Sequence, residues 1–189
     1  MAIRVPKATL PADFAAQLAE QFGAVPEPLE VTWNHPEAAQ AFLELGGKVN
    51  GWTAADAGLK SFAHMAVAAY VGCSWCLDVG YFQALNQNLD LTKASQVPRW
   101  READVFTPLE RDVMAYAEAM TDTPTTVTDE LSARLLEELG AEGLVELTVL
   151  IAFANASTRS NTALGVTSQG FSDACEVPLA GRPGVASPA

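Results

Sequence analysis

The sequence predicts an all-α fold in a single domain. Apolar residues recur at helical spacing along most of the chain after residue 10, and no stretch alternates apolar and polar residues over the length of a strand. Proline and glycine fall where helices would begin and end. With 189 residues, 49% of them hydrophobic, the chain can bury a core without disulfides or metals.

Glycines and a proline set the first helix boundaries. Pro36 suits the first position of a helix, and Gly46-Gly47 predict its end. A second helix is predicted over about 56–71 and a third over about 73–87. Gly72 lies between them, because glycine readily takes the left-handed conformation that ends a helix.

Two start signals mark helices in the second half of the chain. Thr107 can cap a helix with Pro108 in its first position, and Glu110 can bond back to the cap. This helix should reach about Met120. Thr128 opens another helix, with acidic residues in its first turn.

The remaining segments follow from spacing and composition. Residues 88–101 are predicted to be a connector, and 144–164 one or two core helices. The helix after Thr128 should end at Gly140. Its buried stripe should consist of Leu131, Leu135, Leu136 and Leu139.

We divide the chain into an N-terminal segment (1–34), a helical domain (35–172) and a tail (173–189). The tail is rich in Pro, Gly and Ala, so we expect it to be flexible or to pack on a partner subunit. Residues 59–80 can be laid on 144–165 without gaps. This match has three identities, so it indicates a possible duplication of a helix pair.

The charge excludes some partners. A formal net charge of −12 argues against nucleic acid and against anionic membrane surfaces. No apolar run reaches the ~18 residues that span a bilayer. The first residues lack the apolar segment of a secretory signal, so we expect a cytoplasmic protein.

The segment Cys73-Ser74-Trp75-Cys76 carries the strongest chemical signal. At the start of a helix, the two cysteines would lie within reach of each other. The unpaired N–H groups there favour a thiolate, which is the reactive form of cysteine. The spacing therefore predicts redox chemistry. A metal site is not expected, because one Cys-x-x-Cys pair supplies only two of the ligands that tetrahedral zinc needs.

Residues 35–170 resemble the carboxymuconolactone decarboxylase / alkylhydroperoxidase D (AhpD-like) superfamily. The segment "LKSFAHMAVAAYVGCSWCLDVGYFQAL" is similar to its signature helix pair, and "VELTVLIAFANASTRSNTALGV" is similar to the second half of its longer, peroxidase-related members. The resemblance implies an AhpD-like helical bundle, usually a homo-oligomer. It also implies that Cys76 attacks a peroxide and that Cys73 resolves it as a disulfide.

Three positions depart from the peroxidase branch of that family. Ser61 stands where a glutamate belongs to a proton relay, and Gly80 stands where a histidine follows the cysteines. Trp75 occupies a position that is histidine in some active members, and it could be a lid over the thiols or plain packing. We expect His64 to substitute as a base if its helix lies beside the cysteines. Glu146 would supply the missing carboxylate if the internal match is structural.

A polar set lies inside the last apolar helix. Asn155, Arg159 and Asn161 match the "N-x3-R-x-N" part of the family run. Buried polar groups need partners, so a structural network is one interpretation. In the other, Arg159 guides a substrate carboxylate.

These patterns support three hypotheses. The first is an AhpD-like thiol peroxidase that is reduced by a dithiol donor, because no metal, flavin or nicotinamide motif is visible. The second is a decarboxylase-like enzyme for a small organic acid, in which Arg159 binds the carboxylate and His64 or Glu146 moves protons. The third is a non-catalytic protein. Accessible sulfurs would favour the first hypothesis and sealed sulfurs the third.

Overall fold

The computed structural model describes residues 3–175 and 177–181, and every regular element in these ranges is helical. The prediction of an all-α domain is therefore confirmed. The helices are α1 Ala12–Phe22, α2 Glu27–Thr32, α3 Pro36–Gly51, α4 Ala57–Val71, α5 Ser74–Asn86, α6 Leu91–Ala94, α7 Pro108–Thr121 and α8 Asp129–Leu164. Short 3₁₀ turns lie at Val97–Arg99 and Phe171–Ala174.

Helix α4 is the centre of the bundle. Its start is fixed by Asp56, whose side chain accepts hydrogen bonds from the backbone N–H groups of Gly58 (2.8 Å) and Leu59 (3.1 Å). Most of its side chains are buried, and it packs against α5, α7 and α8. Its end is the left-handed Gly72 (φ 82°), as predicted. A helix that is apolar on nearly all sides must lie inside the protein.

Gly46-Gly47 do not end α3, which continues to Gly51. A β-carbon on Gly46 would lie 2.9 Å from the nearest ring carbon of Phe153. Gly46 therefore lets α3 approach α8 closely, so its role is packing.

The connector at 88–101 contains more structure than predicted. It holds α6 and the first 3₁₀ turn. The predicted capping box is present: Thr107 Oγ1 accepts the Glu110 N–H at 3.3 Å, and the Glu110 carboxylate accepts the Thr107 N–H at 2.7 Å. The same carboxylate binds Lys93 of α6 at 2.8 Å, which ties the connector to α7.

Helix α8 begins at the Thr128 cap and breaks at Gly140 (φ 68°), where the sequence predicts an end. Leu131 and Leu135 are buried, but Leu136 is 48% exposed, so the predicted stripe is wrong at that position.

The internal match is not a structural repeat. Residues 59–80 contain the break at Gly72 between two helices, whereas 144–164 form one uninterrupted helix. Three identities in apolar helical segments reflect their shared composition.

By length and composition, α8 contains a stretch apolar enough to cross a membrane, contrary to the expectation from the sequence. It packs against α3, α4 and α7, and a third of that stretch is buried inside the protein.

The start of the predicted tail is held to its own chain. The Tyr81 hydroxyl donates to the carbonyl of Val177 at 2.5 Å, and the N–H of Ala180 donates to the carbonyl of Ser95 at 2.9 Å. The prediction for 182–189 falls outside the described residues.

Candidate functional site

Cys73 and Cys76 lie together at the start of α5 and form a disulfide. Cys73 is the N-cap of this helix, and its Sγ accepts the backbone N–H of Cys76 at 3.3 Å. The left-handed Gly72 turns the chain out of α4 so that Cys73 can take this position. The predicted proximity of the two sulfurs is therefore present.

Asn161 contacts the second sulfur of the pair. It lies in the last turn of α8, and its Nδ2 donates to Cys76 Sγ at 3.3 Å. The side chain is buried. Of the three residues in the polar run of α8, Asn161 is the one that the fold brings to the cysteines.

Trp75 forms part of a cover over the disulfide. Its indole packs against the small cluster of Ala68, Cys73 and Cys76. The indole N–H donates to Gln169 Oε1 at 2.7 Å, and the ring meets Phe171 edge-on with 6.3 Å between centroids. Trp75 is thus both packed and tethered by a polar group.

Gln169 links this cover to the N-terminal part of the chain. Its Oε1 also accepts the N–H of Glu27 at 2.8 Å, and its Nε2 donates to the carbonyl of Val25 at 3.1 Å. The amide therefore joins the segment before α2, the loop after α8 and the indole of Trp75. We call Trp75, Gln169 and Phe171 the lid.

Asp78 anchors the loop that carries the lid. Its buried carboxylate accepts the Ser168 hydroxyl at 2.7 Å and the Ser172 N–H at 2.7 Å. It also accepts the backbone N–H groups of residues 169–171 at 2.9–3.1 Å. Burial raises the pKa of Asp78, but hydrogen bonds from Ser168, Ser172 and Phe171 outweigh burial and lower it overall. This anionic anchor was missed at the sequence level. An acidic residue inside an apolar helix is the signal, because such a group requires donors.

His64 lies against α5 one turn beyond Cys76. A β-carbon on Gly80 would lie 3.9 Å from the imidazole Nδ1, which is ordinary van der Waals distance, so the ring lies beside this part of α5. Burial lowers the pKa of His64 to about 4, so the imidazole is neutral at pH 7. Gly80 follows Cys76 by four residues and lies on the same face of α5. Ser61 is half-buried on α4, one turn before His64.

Glu146 is not available to the cysteines, contrary to the prediction. Its carboxylate binds Lys60 Nζ at 2.8 Å and the N–H of Ala54 at 2.8 Å, and both charged side chains are buried. It precedes Asn161 by 15 residues on α8, which is about 22 Å along the axis. The prediction depended on the internal match, which the continuous α8 excludes.

Asn155 and Arg159 form a structural network at the end of α7. The Arg159 guanidinium donates to the carbonyl of Thr121 at 2.6 Å and to Asn155 Oδ1 at 3.2 Å. The Asn155 amide donates to Thr121 Oγ1 at 3.0 Å. The interpretation of Arg159 as a guide for a substrate carboxylate therefore gains no support, because its charge is used to hold a helix end.

Both sulfurs of the pair are covered. Cys73 is 1% exposed and Cys76 2% exposed, which contradicts the expectation of an accessible pair. Trp75 and Leu77 pack against the cysteine pair and Asn161 contacts Cys76 Sγ, so these side chains supply part of the cover. A reactant can therefore reach the sulfurs only if covering side chains such as Trp75 move.

The chain matches the model of the carboxymuconolactone decarboxylase family over residues 36–119. It is 33% identical over 123 residues to the uncharacterized protein YnjA of Escherichia coli (strain K12), and this alignment covers 65% of the chain and 66% of YnjA.

Solved structures share the fold. An uncharacterized peroxidase-related protein of Ralstonia eutropha JMP134 with an alkylhydroperoxidase AhpD core superposes with a TM-score of 0.81 at 19% identity, over 93% of this chain and 97% of that one. The debrominase Bmp8, as a cysteine-to-alanine variant with 2,3,4-tribromopyrrole, superposes with a TM-score of 0.78 at 19% identity, over 92% and 97%. Identities this low establish a common fold alone.

Proposed function

We propose that the chain, part of which matches the carboxymuconolactone decarboxylase family, is a thiol oxidoreductase of the carboxymuconolactone decarboxylase / AhpD superfamily whose Cys73 and Cys76 cycle between dithiol and disulfide. The observation that carries this proposal is the bonded pair of sulfurs at the start of α5, each with its own N–H donor. Donors aimed at sulfur favour the thiolate, which is the reactive form.

The reaction we propose consumes an alkyl hydroperoxide. The Cys76 thiolate attacks the terminal peroxide oxygen, the O–O bond breaks, and the alkoxide takes a proton and leaves as an alcohol. Cys76 becomes a sulfenic acid. The Cys73 thiolate then attacks that sulfur and expels hydroxide, which is protonated to water. In sum, one hydroperoxide and two thiols give one alcohol, one water and the disulfide.

A second dithiol completes the cycle by exchange. It attacks one sulfur of the disulfide, passes through a mixed disulfide and leaves oxidised, so that both cysteines return to thiols. The protein would need no cofactor of its own, because the electrons come from this donor.

His64 is proposed as the base of the site. The imidazole is neutral at pH 7 and lies against the face of α5 that carries Cys76. With a pKa of about 4 the buried imidazole is a weak base, so we assign it only a transient acceptance of the thiol proton as the thiolate forms. In this role His64 of α4 would take the place of the histidine that the peroxidase branch carries where this chain has Gly80.

The buried sulfurs favour one alternative, a non-catalytic member of the superfamily. The polar tether of the lid supports a gated enzyme instead, because Trp75 is held over the pair by a hydrogen bond to Gln169 as well as by packing. Opening this lid costs a hydrogen bond and part of an apolar contact, which thermal motion can supply.

A second catalytic candidate is reductive dehalogenation of an aromatic compound. The rings of Trp75 and Phe82 each lie against Phe171, and Trp75 packs against the two cysteines, so an aromatic surface on which a planar molecule can stack reaches the sulfurs through Trp75. Two thiols and an aryl bromide would give the disulfide, the debrominated arene and HBr. The organic-acid hypothesis lacks such support, because Arg159 and Glu146 are engaged elsewhere.

We also propose that the chain assembles into a homo-oligomer through an apolar surface on α3 and α8. Four apolar side chains on this surface are each more than 40% exposed: Phe42 and Leu45 of α3, Trp52 directly after α3, and Val145 of α8. Light scattering of the protein and of a Val145→Glu variant tests this, because the variant should dissociate. A wild-type monomer would contradict it.

Stopped-flow mixing of the reduced protein with an alkyl hydroperoxide tests the main proposal. The wild type should lose two thiols per peroxide and regain them with a dithiol, whereas Cys76→Ser should not react. Cys175→Ser is the matched control, because Cys175 is outside the disulfide, and it should react like the wild type. Equal rates for wild type and Cys76→Ser would defeat the proposal. The same experiment with an aryl bromide in place of the peroxide tests reductive dehalogenation.

A further inference from the structure

The amide of Asn161 makes an unusual contact for an asparagine inside a helix. Asn50 and Asn155 both donate to the backbone carbonyl four residues earlier, at 2.8 and 3.2 Å. Asn161 turns away from its own helix and donates to Cys76 Sγ at 3.3 Å, while 6% exposed. A carbonyl acceptor within α8 would satisfy a purely structural amide in the same way as in the other two.

The fold fixes the position of this amide. Helix α8 ends at the left-handed Gly165 (φ 77°), and the N–H groups of Gly165 and Val166 both donate back to the carbonyl of Asn161. The backbone at Asn161 is therefore locked by a helix cap. Its side chain reaches across to α5 from a rigid point.

From this geometry we infer that Asn161 stabilises the Cys76 thiolate and so selects Cys76 as the attacking sulfur of the proposed reaction. A sulfur in a disulfide or a thiolate carries no hydrogen, so the contact is favourable only with the NH₂ group of the amide facing it. The hydrogen bond strengthens as negative charge develops on sulfur. In a site closed to water, that donor replaces hydration that the thiolate would lose.

The two sulfurs thus have different donors. Cys73 is served by the backbone N–H of Cys76, which any sequence would provide at an N-cap. Cys76 is served by a side chain from another helix. Substitution at Asn161 therefore acts on one sulfur alone, which makes the inference testable without turnover.

Other titratable groups share this end of the molecule. They are Cys73 at the N-cap of α5, Asp78 and Tyr81 within α5, His64 of α4, Cys175, and Arg4, whose guanidinium donates to the carbonyls of Thr162 and Ala163. The Asp78 charge is compensated by its five donors from the loop that follows α8, and His64 is neutral at pH 7. Neither group replaces the donor that Asn161 offers.

The test is an ultraviolet titration of the Cys76 thiolate in a chain that carries Cys73→Ser and Cys175→Ser. Adding Asn161→Leu should raise the midpoint by about one pH unit, the equivalent of about 1.4 kcal/mol and near the lower value for a hydrogen bond to a charged group. Adding Asn161→Asp, which keeps the shape and reverses the electrostatics, should raise it further. Asn155→Leu is the matched control and should leave it unchanged, because that amide contacts Thr121 and its own helix.

A second measurement uses the chain with all its cysteines. In glutathione buffers at a pH above the thiolate midpoint, Asn161→Leu should shift the equilibrium between dithiol and disulfide about 10-fold towards the disulfide, since the reduced form loses its stabilising donor. Unchanged titration and equilibrium in folded Asn161→Leu would overturn the inference. If that variant does not fold, the isosteric Asn161→Asp decides in the same way.

The inference rests on the proposed function, but the two fail separately. If substitution of Asn161 shifts the titration midpoint of the Cys76 thiolate but the protein consumes no hydroperoxide, the role of Asn161 stands and the peroxidase proposal fails. If the protein consumes peroxide but substitution of Asn161 does not shift the thiolate midpoint, the oxidoreductase proposal stands and Asn161 has no role in it.

Discussion

Replacing His64 with glutamine should remove one specific part of the acid sensitivity of the fold. Burial lowers the pKa of His64 from 6.5 to about 4. In the unfolded chain the His64 imidazole binds a proton below about pH 6.5, whereas in the folded protein it stays neutral down to about pH 4. Folding is therefore progressively disfavoured as the pH falls through this window. Integrated over 2.5 pH units at about 1.4 kcal/mol each, the wild type should lose about 3 kcal/mol that His64→Gln retains.

Urea unfolding of both proteins at several pH values measures this effect. The difference between the two free energies of unfolding should be constant above pH 7 and should change by about 1.4 kcal/mol per pH unit in the window, before levelling off near pH 4. Other carboxylates titrate equally in both proteins and cancel in the difference. Parallel curves down to pH 4 would refute the claim that burial holds this imidazole neutral in the folded protein.

Three further predictions concern the anchor, the lid and the helix packing. Asp78→Asn should lower the free energy of unfolding at pH 7 by about 3 kcal/mol, as expected for lost hydrogen bonds to a charge. Because the pKa of Asp78 is lowered in the folded protein, the wild type should lose this advantage progressively as the pH falls below the ordinary carboxyl value of 3.8. An advantage that persists in acid would contradict the role of the charge. Gln169→Leu removes the bond to the Trp75 indole together with those to Glu27 and Val25, so it should speed reduction of the disulfide by dithiothreitol by at least about 2- to 10-fold, the worth of one hydrogen bond. An unchanged or slower reduction would show that Gln169 does not hold the lid. Gly47→Ala should stabilise the protein by about 0.5–1 kcal/mol in thermal unfolding, because open space surrounds this position of α3. Gly46→Val should destabilise the protein by about 1–3 kcal/mol, because the new side chain would meet the ring of Phe153. Equal effects of the two substitutions would refute the packing role of Gly46.

Local chemistry made much of the fold predictable. The cap at Thr107, the left-handed Gly72 and the break at Gly140 are each decided by neighbouring residues, and the structure has each where the sequence puts it. The same holds for the start of α5 at Cys73. Such features need no knowledge of the rest of the chain.

Long-range packing decided the features that the sequence did not predict. Gly46 looks like a helix end, but the ring of Phe153, more than a hundred residues later, explains it. Glu146 looks free until Lys60 is placed beside it. The lid was invisible for the same reason, because Gln169 and Trp75 meet only when α5 and the end of α8 have come together.

Trp75 lies within the stretch that matches the family, but the groups that hold it over the disulfide lie outside that stretch. Cys73 and Cys76 fall within residues 36–119, whereas Gln169, Phe171 and Asn161 come after it and the backbone that steadies Gln169 comes before it. Entry to the sulfurs can therefore be widened, narrowed or closed by changes at the two ends of the chain, with no alteration to the helices that hold the reacting atoms. How easily the disulfide is reached and how its two sulfurs react are therefore separately adjustable in a molecule built this way.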